Sequence, residues 1–190
     1  MLTSKLTKTL GLLLVISATA DLINYILAKM HVPTIIVANS YFILQFLLLS
    51  YIFSLLLSNR KLIYNATALY SALYLFFFVM GFEHFNDFQS RLRAIEDVVL
   101  LIYCVLYYRQ LLKTLPAENI WHYAPFWITT AALYYFGLNL LLFIITNYVF
   151  TNLPTDAAMT VWGFHNFNNI VKNILFAVGI YYAGKKQEGL

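Results

Sequence analysis

AMTVWGFHNFNNIVKNILFAVGIYYA, residues 158–183, is long and apolar enough to cross a bilayer, yet it carries His165, Asn166, Asn168, Asn169, Lys172 and Asn173. One crossing takes about 20 predominantly apolar residues. A lysine near the centre of such a helix costs about 2.5–3.5 kcal/mol on insertion scales. Lys172 therefore requires a partner or a ligand, and the rest of the chain can be read for what supplies it. Trp162, His165, Asn169, Lys172 and Phe176 recur at three- and four-residue intervals, so a helix gathers them into one stripe, flanked by Asn166 and Asn173.

The wider composition agrees with a membrane setting. The 190 residues are 62% hydrophobic and only 11% charged, with a mean hydropathy of +0.73. Soluble domains carry about 25% charged residues. Apolar runs between charges and prolines mark six spans, at residues 9–30, 34–57, 62–82, 92–112, 124–150 and 158–183. Pro33, Pro116, Pro125 and Pro154 all fall between spans or in first turns, where a missing N–H does no harm. The expected fold is all-α: one polytopic domain over residues 1–190, a bundle of six transmembrane helices whose first partner is the lipid bilayer.

Orientation follows from Lys and Arg, which are retained on the cytoplasmic side. With the N-terminus cytoplasmic, Lys5, Lys8, Arg60, Lys61, Arg109, Lys113, Lys185 and Lys186 lie inside, and Lys29, Arg91 and Arg93 outside. Both termini are expected in the cytoplasm. A second reading of the N-terminus stays open. Lys5 and Lys8, the apolar run from Leu10 to Ile16, and Ala18-Thr19-Ala20 read as a secretory signal with an Ala-x-Ala cleavage site. The apolar run continues through Leu22 to Leu27, which favours a retained first helix; cleavage would leave five spans in the same orientation.

Depth along each span, at about 1.5 Å per residue, locates the other intramembrane polar groups. Ser17, Asp21 and Asn24 share a face of the first span. Asn39 and Gln45 lie in the second, Glu96 and Asp97 near the outer end of the fourth, and Asn139 in the outer half of the fifth beside Tyr134 and Tyr135. His165 and Asn169 lie in the outer half of the sixth, with Lys172 near its middle. Such groups avoid lipid by facing one another. The expected site is an outward-opening polar cavity lined by Lys172, His165, Asn169, Glu96, Asp97, Asn139 and Asp21. Lys172 forms its floor, with Glu96, Asp97 or Asp21 as counter-charge. The adjacent acids point about 100° apart on a helix, so one can face the cavity while the other meets Arg91, Arg93 or lipid headgroups. The asparagines also serve as interhelical hydrogen-bonding groups, worth about 0.6 kcal/mol each in measured cases.

Several chemistries lack their residues. No Gly-rich phosphate loop, paired-histidine zinc motif or nucleophile elbow is present, so no cofactor, metal or catalytic residue is assigned. Glu83-His84-Phe85-Asn86-Asp87 offers oxygen and imidazole groups without tight ligand spacing and reads as a solvated loop. Cys104, the only cysteine, reads as an inert buried thiol. No basic groove with interleaved aromatics serves nucleic acid.

Three stretches carry a resemblance: Arg93-Ala94-Ile95-Glu96 opening a helix that ends Tyr107-Tyr108-Arg109-Gln110-Leu111-Leu112; Pro125-Phe126-Trp127 followed by Tyr134-Tyr135-Phe136-Gly137-Leu138-Asn139; and Trp162-Gly163-Phe164-His165-Asn166 running into Val171-Lys172-Asn173-Ile174-Leu175-Phe176. Together, over residues 39–182, they resemble a family of small bacterial multi-pass membrane proteins of unassigned function. They are also similar to the membrane portions of some multi-pass sensor kinases. Relatives of this kind carry one further N-terminal helix, and the resemblance implies no catalytic residue. It implies a bacterial inner-membrane location. The leading expectation is a sensing or binding module for a small anion, amphiphile or lipid headgroup, signalling through a protein partner or a homo-oligomer. The alternatives are a transporter or oligomeric channel using the same cavity, a membrane-embedded lipid-modifying enzyme, and a structural subunit of a larger complex.

Overall fold

The computed structural model describes residues 2–116 and 119–188. It is all-helical, with no strand among the described residues. Six α-helices follow one another: α1 (Leu2–Lys29), α2 (Ile35–Leu56), α3 (Arg60–Val79), α4 (Ser90–Thr114), α5 (Ala124–Asn152) and α6 (Thr155–Glu188), with a 3₁₀ turn at Ile120–His122. α1 runs unbroken through Ala18-Thr19-Ala20. The chain forms two compact units, Met1–Gln89 and Ser90–Leu190.

Four helices contain segments long and apolar enough to cross a membrane: Ser4–Lys29, Ile35–Leu56, Arg60–Val79 and Ala124–Thr146. The surface matches that property. Leu69, Leu75 and Val79 on α3 and Val15 and Leu22 on α1 are exposed, and Ile63 and Tyr70 are the only buried side chains of α3. Soluble proteins seldom expose contiguous apolar area on this scale. The protein is a helical membrane protein.

In the first unit, α2 packs against both α1 and α3. Tyr41 donates to the Ser17 hydroxyl at 3.1 Å, and Phe46 and Tyr70 pack with ring centroids 4.3 Å apart. Helix ends are closed by local chemistry. Asn59 caps α3 by accepting from the Leu62 N–H at 3.3 Å. At the other end of α3, Phe82 N–H donates to Phe77 O and Gly81 N–H to Phe78 O, with Gly81 at φ 70°. Glycine occupies this left-handed position without a Cβ clash. α1 ends in the same pattern, Val32 N–H to Leu27 O and His31 N–H to Ala28 O, but His31 takes the left-handed place at φ 57°.

The loop after α3 is held down. The Asn39 amide donates to Phe85 O at 2.8 Å and to Asp87 O at 3.0 Å, Tyr74 donates to Gln89 at 2.9 Å, and Phe78 meets Phe85. Asn39, placed by the sequence among intramembrane polar groups, thus spends its donors on loop carbonyls that would otherwise lack partners.

In the second unit, α5 packs against α4 and α6. Tyr108 and Thr130 share a 2.7 Å hydrogen bond between α4 and α5. Pro125 stands in the first turn of α5, where its fixed φ suits helix entry. α6 approaches α5 closely at Gly179: a Cβ there would lie 3.0 Å from Ile128 Cγ1 and 3.5 Å from Ala124 O. Small residues of this kind allow close backbone packing where no hydrophobic drive separates lipid from protein. Gly179→Ala should cost less than Gly179→Val, which should destabilise the unit by about 1–3 kcal/mol through overpacking. Thermal unfolding in a mild detergent checks this, and equal midpoints for Gly179→Val and wild type would contradict it.

Candidate functional site

α4 and α6 carry more charge than the four apolar segments, and they arrange it inside out. On α6, His165, Asn168, Asn169, Lys172 and Phe176 are buried while Met159, Phe164, Phe167, Ile170 and Ile174 are exposed. On α4, Arg93, Glu96, Asp97, Tyr103 and Tyr107 are buried while Val98, Ile102, Val105 and Leu112 are exposed. In water the two faces would exchange roles, because burying charge is costly and apolar surface drives burial.

α5 joins these faces. Its Asn139 donates through Nδ2 to Tyr135 O at 2.9 Å, which turns Oδ1 toward His165 Nδ1, also 2.9 Å away. An amide oxygen only accepts, so His165 Nδ1 carries the hydrogen and, in a neutral ring, the lone pair sits on Nε2. The imidazole stacks on Trp162 at 4.9 Å and lies beside Phe143 and Tyr135. One turn along, Tyr134 donates to Asn168 Oδ1 at 3.0 Å.

Lys172 is 1% exposed, and its Nζ lies 4.2 Å above the Tyr135 ring centroid. The ring's negative face attracts the ammonium by about 2 kcal/mol when both are desolvated. That is less than the several kcal/mol needed to remove an ammonium from water, so Lys172 draws on further interactions in the bundle besides the ring. Arg93 Nη1 binds Glu96 Oε2 at 3.1 Å, with both side chains 2% exposed. The charges of Lys172 and Arg93 both act on His165. Guanidinium, ammonium and imidazole therefore share one electrostatic neighbourhood between α4 and α6.

The second unit thus brings together Asn139, His165 and Lys172 from α5 and α6, and Glu96 with Arg93 on α4, while Asp97 and Asn169 are buried nearby in sequence. Asp21 belongs to the first unit and is exposed on α1. Asn166 is exposed, away from the α6 stripe. Arg93 was missing from the sequence-based site, and Tyr135 entered it only as a neighbour of Asn139. Arg93, grouped there with the outer charges, is buried while Arg91 is exposed; its i, i+3 spacing to Glu96 was the available signal. Tyr135 is the ring under Lys172, and its i+4 spacing to Asn139 was the corresponding sign. Cys104 is buried and free. Among the described residues, no group of three His, Cys, Asp or Glu side chains is placed to hold a metal ion.

Comparison with protein-family models, curated proteins and solved structures finds no match to this chain.

Removing one partner of a buried ion pair leaves an uncompensated charge and costs about 3–5 kcal/mol. Glu96→Gln and Arg93→Met should each destabilise the protein on that scale, and the double variant by less than the sum. Chemical unfolding in detergent measures the coupling; strictly additive losses would show that the pair contributes nothing of its own.

Proposed function

We propose that this chain crosses the membrane six times with both termini on the cytoplasmic side, and that its second unit binds a small anion or the anionic head of an amphiphile. The observation that carries this reading is the buried Lys172 ammonium over the Tyr135 ring. An anion there would take charge-assisted hydrogen bonds from the ammonium. The inside-out faces of α4 and α6 support their crossing the bilayer, since only lipid rewards apolar residues outside and charges within. The arginine and lysine distribution supports the orientation. The likeness to bacterial multi-pass proteins supports an inner-membrane location.

The cytoplasmic connections in this topology, Ser58 to Lys61 and Lys113 to His122, are too short for a signalling domain. In this reading the output passes to a partner protein or to another copy of this chain, and the module acts as a membrane sensor.

Topology is tested by single cysteines labelled from one side in a Cys104→Ser background. Ser58→Cys and Lys113→Cys should label only from the cytoplasm, and Asn86→Cys and Thr155→Cys only from outside. Labelling of positions 113 and 155 from the same side would remove α5 as a crossing.

Ligand binding is tested by thermal shift with hexanoate and inorganic phosphate. At a hundredfold excess over Kd, binding adds about 2.7 kcal/mol of stability, a shift of several degrees. Lys172→Met should abolish the shift; an equal shift in both proteins would remove Lys172 from the site.

A further inference from the structure

α6 presents a second patterned face besides its buried one. His165, Asn169, Lys172 and Phe176 form the buried stripe. About 110° around the helix runs another line, Met159, Gly163, Asn166, Ile170, Asn173 and Ala177, at alternating four- and three-residue steps. Gly184 continues it one heptad beyond Ala177. Asn173 is half-buried, and the other residues of the line are exposed.

Three features set this line apart from a surface made for lipid. The large apolar side chains Phe164, Phe167 and Ile174 are exposed on the neighbouring arc, whereas the line itself carries two amides and three small residues. Asn166 and Asn173 lie within about 7 Å of the middle of the 158–183 span, too deep for so short a side chain to reach a headgroup. An amide turned outward there meets hydrocarbon, which offers it no hydrogen bond. Glycine weakens a helix relative to alanine, yet at Gly163 and Gly184 an added Cβ would meet nothing within 4 Å. The chain's own packing gives no reason for glycine at either place, in contrast to Gly179 against Ile128.

The spacing points to what covers the line. A seven-residue repeat keeps one seam of a helix against a partner helix in a left-handed supercoil. Gly163, Ile170, Ala177 and Gly184 make one register of that repeat; Met159, Asn166, Asn173 and Ile180 make the other. Two copies inserted in the same orientation pair in parallel about a two-fold axis, so each layer sets a residue against its own counterpart. An amide is donor and acceptor at once, so asparagine opposite asparagine satisfies both. The small residues let the two backbones approach. The line carries no charge, so two copies meet along it without like-charge repulsion.

We infer that two copies of this chain pair through α6, seam on seam, with Asn166 and Asn173 each hydrogen-bonded to its counterpart across the two-fold axis. The inference rests on the reading that α6 crosses the bilayer, and it names the partner in that reading as a second copy of this chain. One helix then turns Lys172 toward α5 and its seam toward the other copy.

The test reconstitutes the purified full chain in phosphatidylglycerol liposomes, in a Cys104→Ser background, and oxidises single cysteines with copper phenanthroline. Gly163→Cys, Ile170→Cys and Ala177→Cys should form disulfide-linked dimers in several times the yield of Phe164→Cys, Phe167→Cys and Ile174→Cys. Energy transfer between dyes on Lys113→Cys, followed through lipid dilution, measures the strength of the pair. Asn166→Leu, a change at an exposed position, should weaken it about tenfold, and Phe164→Leu should leave it unchanged. Equal cross-linking around the whole exposed arc, a pair as strong in Asn166→Leu as in its parent, or a monomer at every dilution would overturn the seam. Ile170→Cys reacting with an impermeant maleimide in intact liposomes as fast as Thr155→Cys would instead overturn the crossing of α6 on which the inference rests.

Discussion

A charge buried in an apolar helix bundle must be met by another group, and the second unit is organised around that requirement. Four ionised or ionisable side chains on two helices, Arg93, Glu96, Asp97 and Lys172, are buried almost completely. Arg93 and Glu96 answer each other at 3.1 Å, and Lys172 lies over the Tyr135 ring. α5 makes this arrangement geometrically feasible. One of its faces receives α4 through Gly137 and Thr130; another receives α6 through Ala124, Ile128, Tyr135 and Asn139. A rotation of α5 by one residue, about 100°, would break both sets of contacts together.

The two units accommodate their buried polar groups differently. The first spends its polar side chains on closing itself: Tyr41 on Ser17, Asn39 on the carbonyls of the loop after α3, and Tyr74 on Gln89. Those bonds satisfy backbone and hydroxyl groups with neutral partners. The second concentrates formal charge and an imidazole, which are far more expensive to bury. The candidate site lies in the second unit for that reason; Asp21 is an exposed residue of α1 in the first unit.

Much of the fold was readable because membrane helices write their lengths in apolar runs. The six helices fall where the six runs do, with ends displaced by up to about seven residues, most at the N-terminus of α1. The displacement has a physical cause. A hydropathy window stops at charges, whereas a helix continues while backbone hydrogen bonds and caps sustain it. α1 therefore begins at Leu2, before Lys5 and Lys8, and α6 runs on to Glu188. Part of the site was readable too. The three- and four-residue stripe of α6 is its buried face, and the polarity of Asn139 marked α5 as its partner. Arg93 and Tyr135 were harder to see. An arginine near a span end reads as interfacial until its rotation is known, and a tyrosine in an aromatic-rich helix gives no sign that a cation lies on its ring.

The sequence by itself determined that the protein is helical and membrane-embedded, and that Lys172 needs company, because apolar length and the cost of a buried ammonium are local properties. Only the tertiary structure decided the partners. Pairing depends on the rotation and register of one helix against another, and these are set by contacts such as Gly179 on Ile128 and Tyr108 on Thr130. From that packing follow Arg93 on Glu96, Asn139 on His165 and Lys172 on Tyr135.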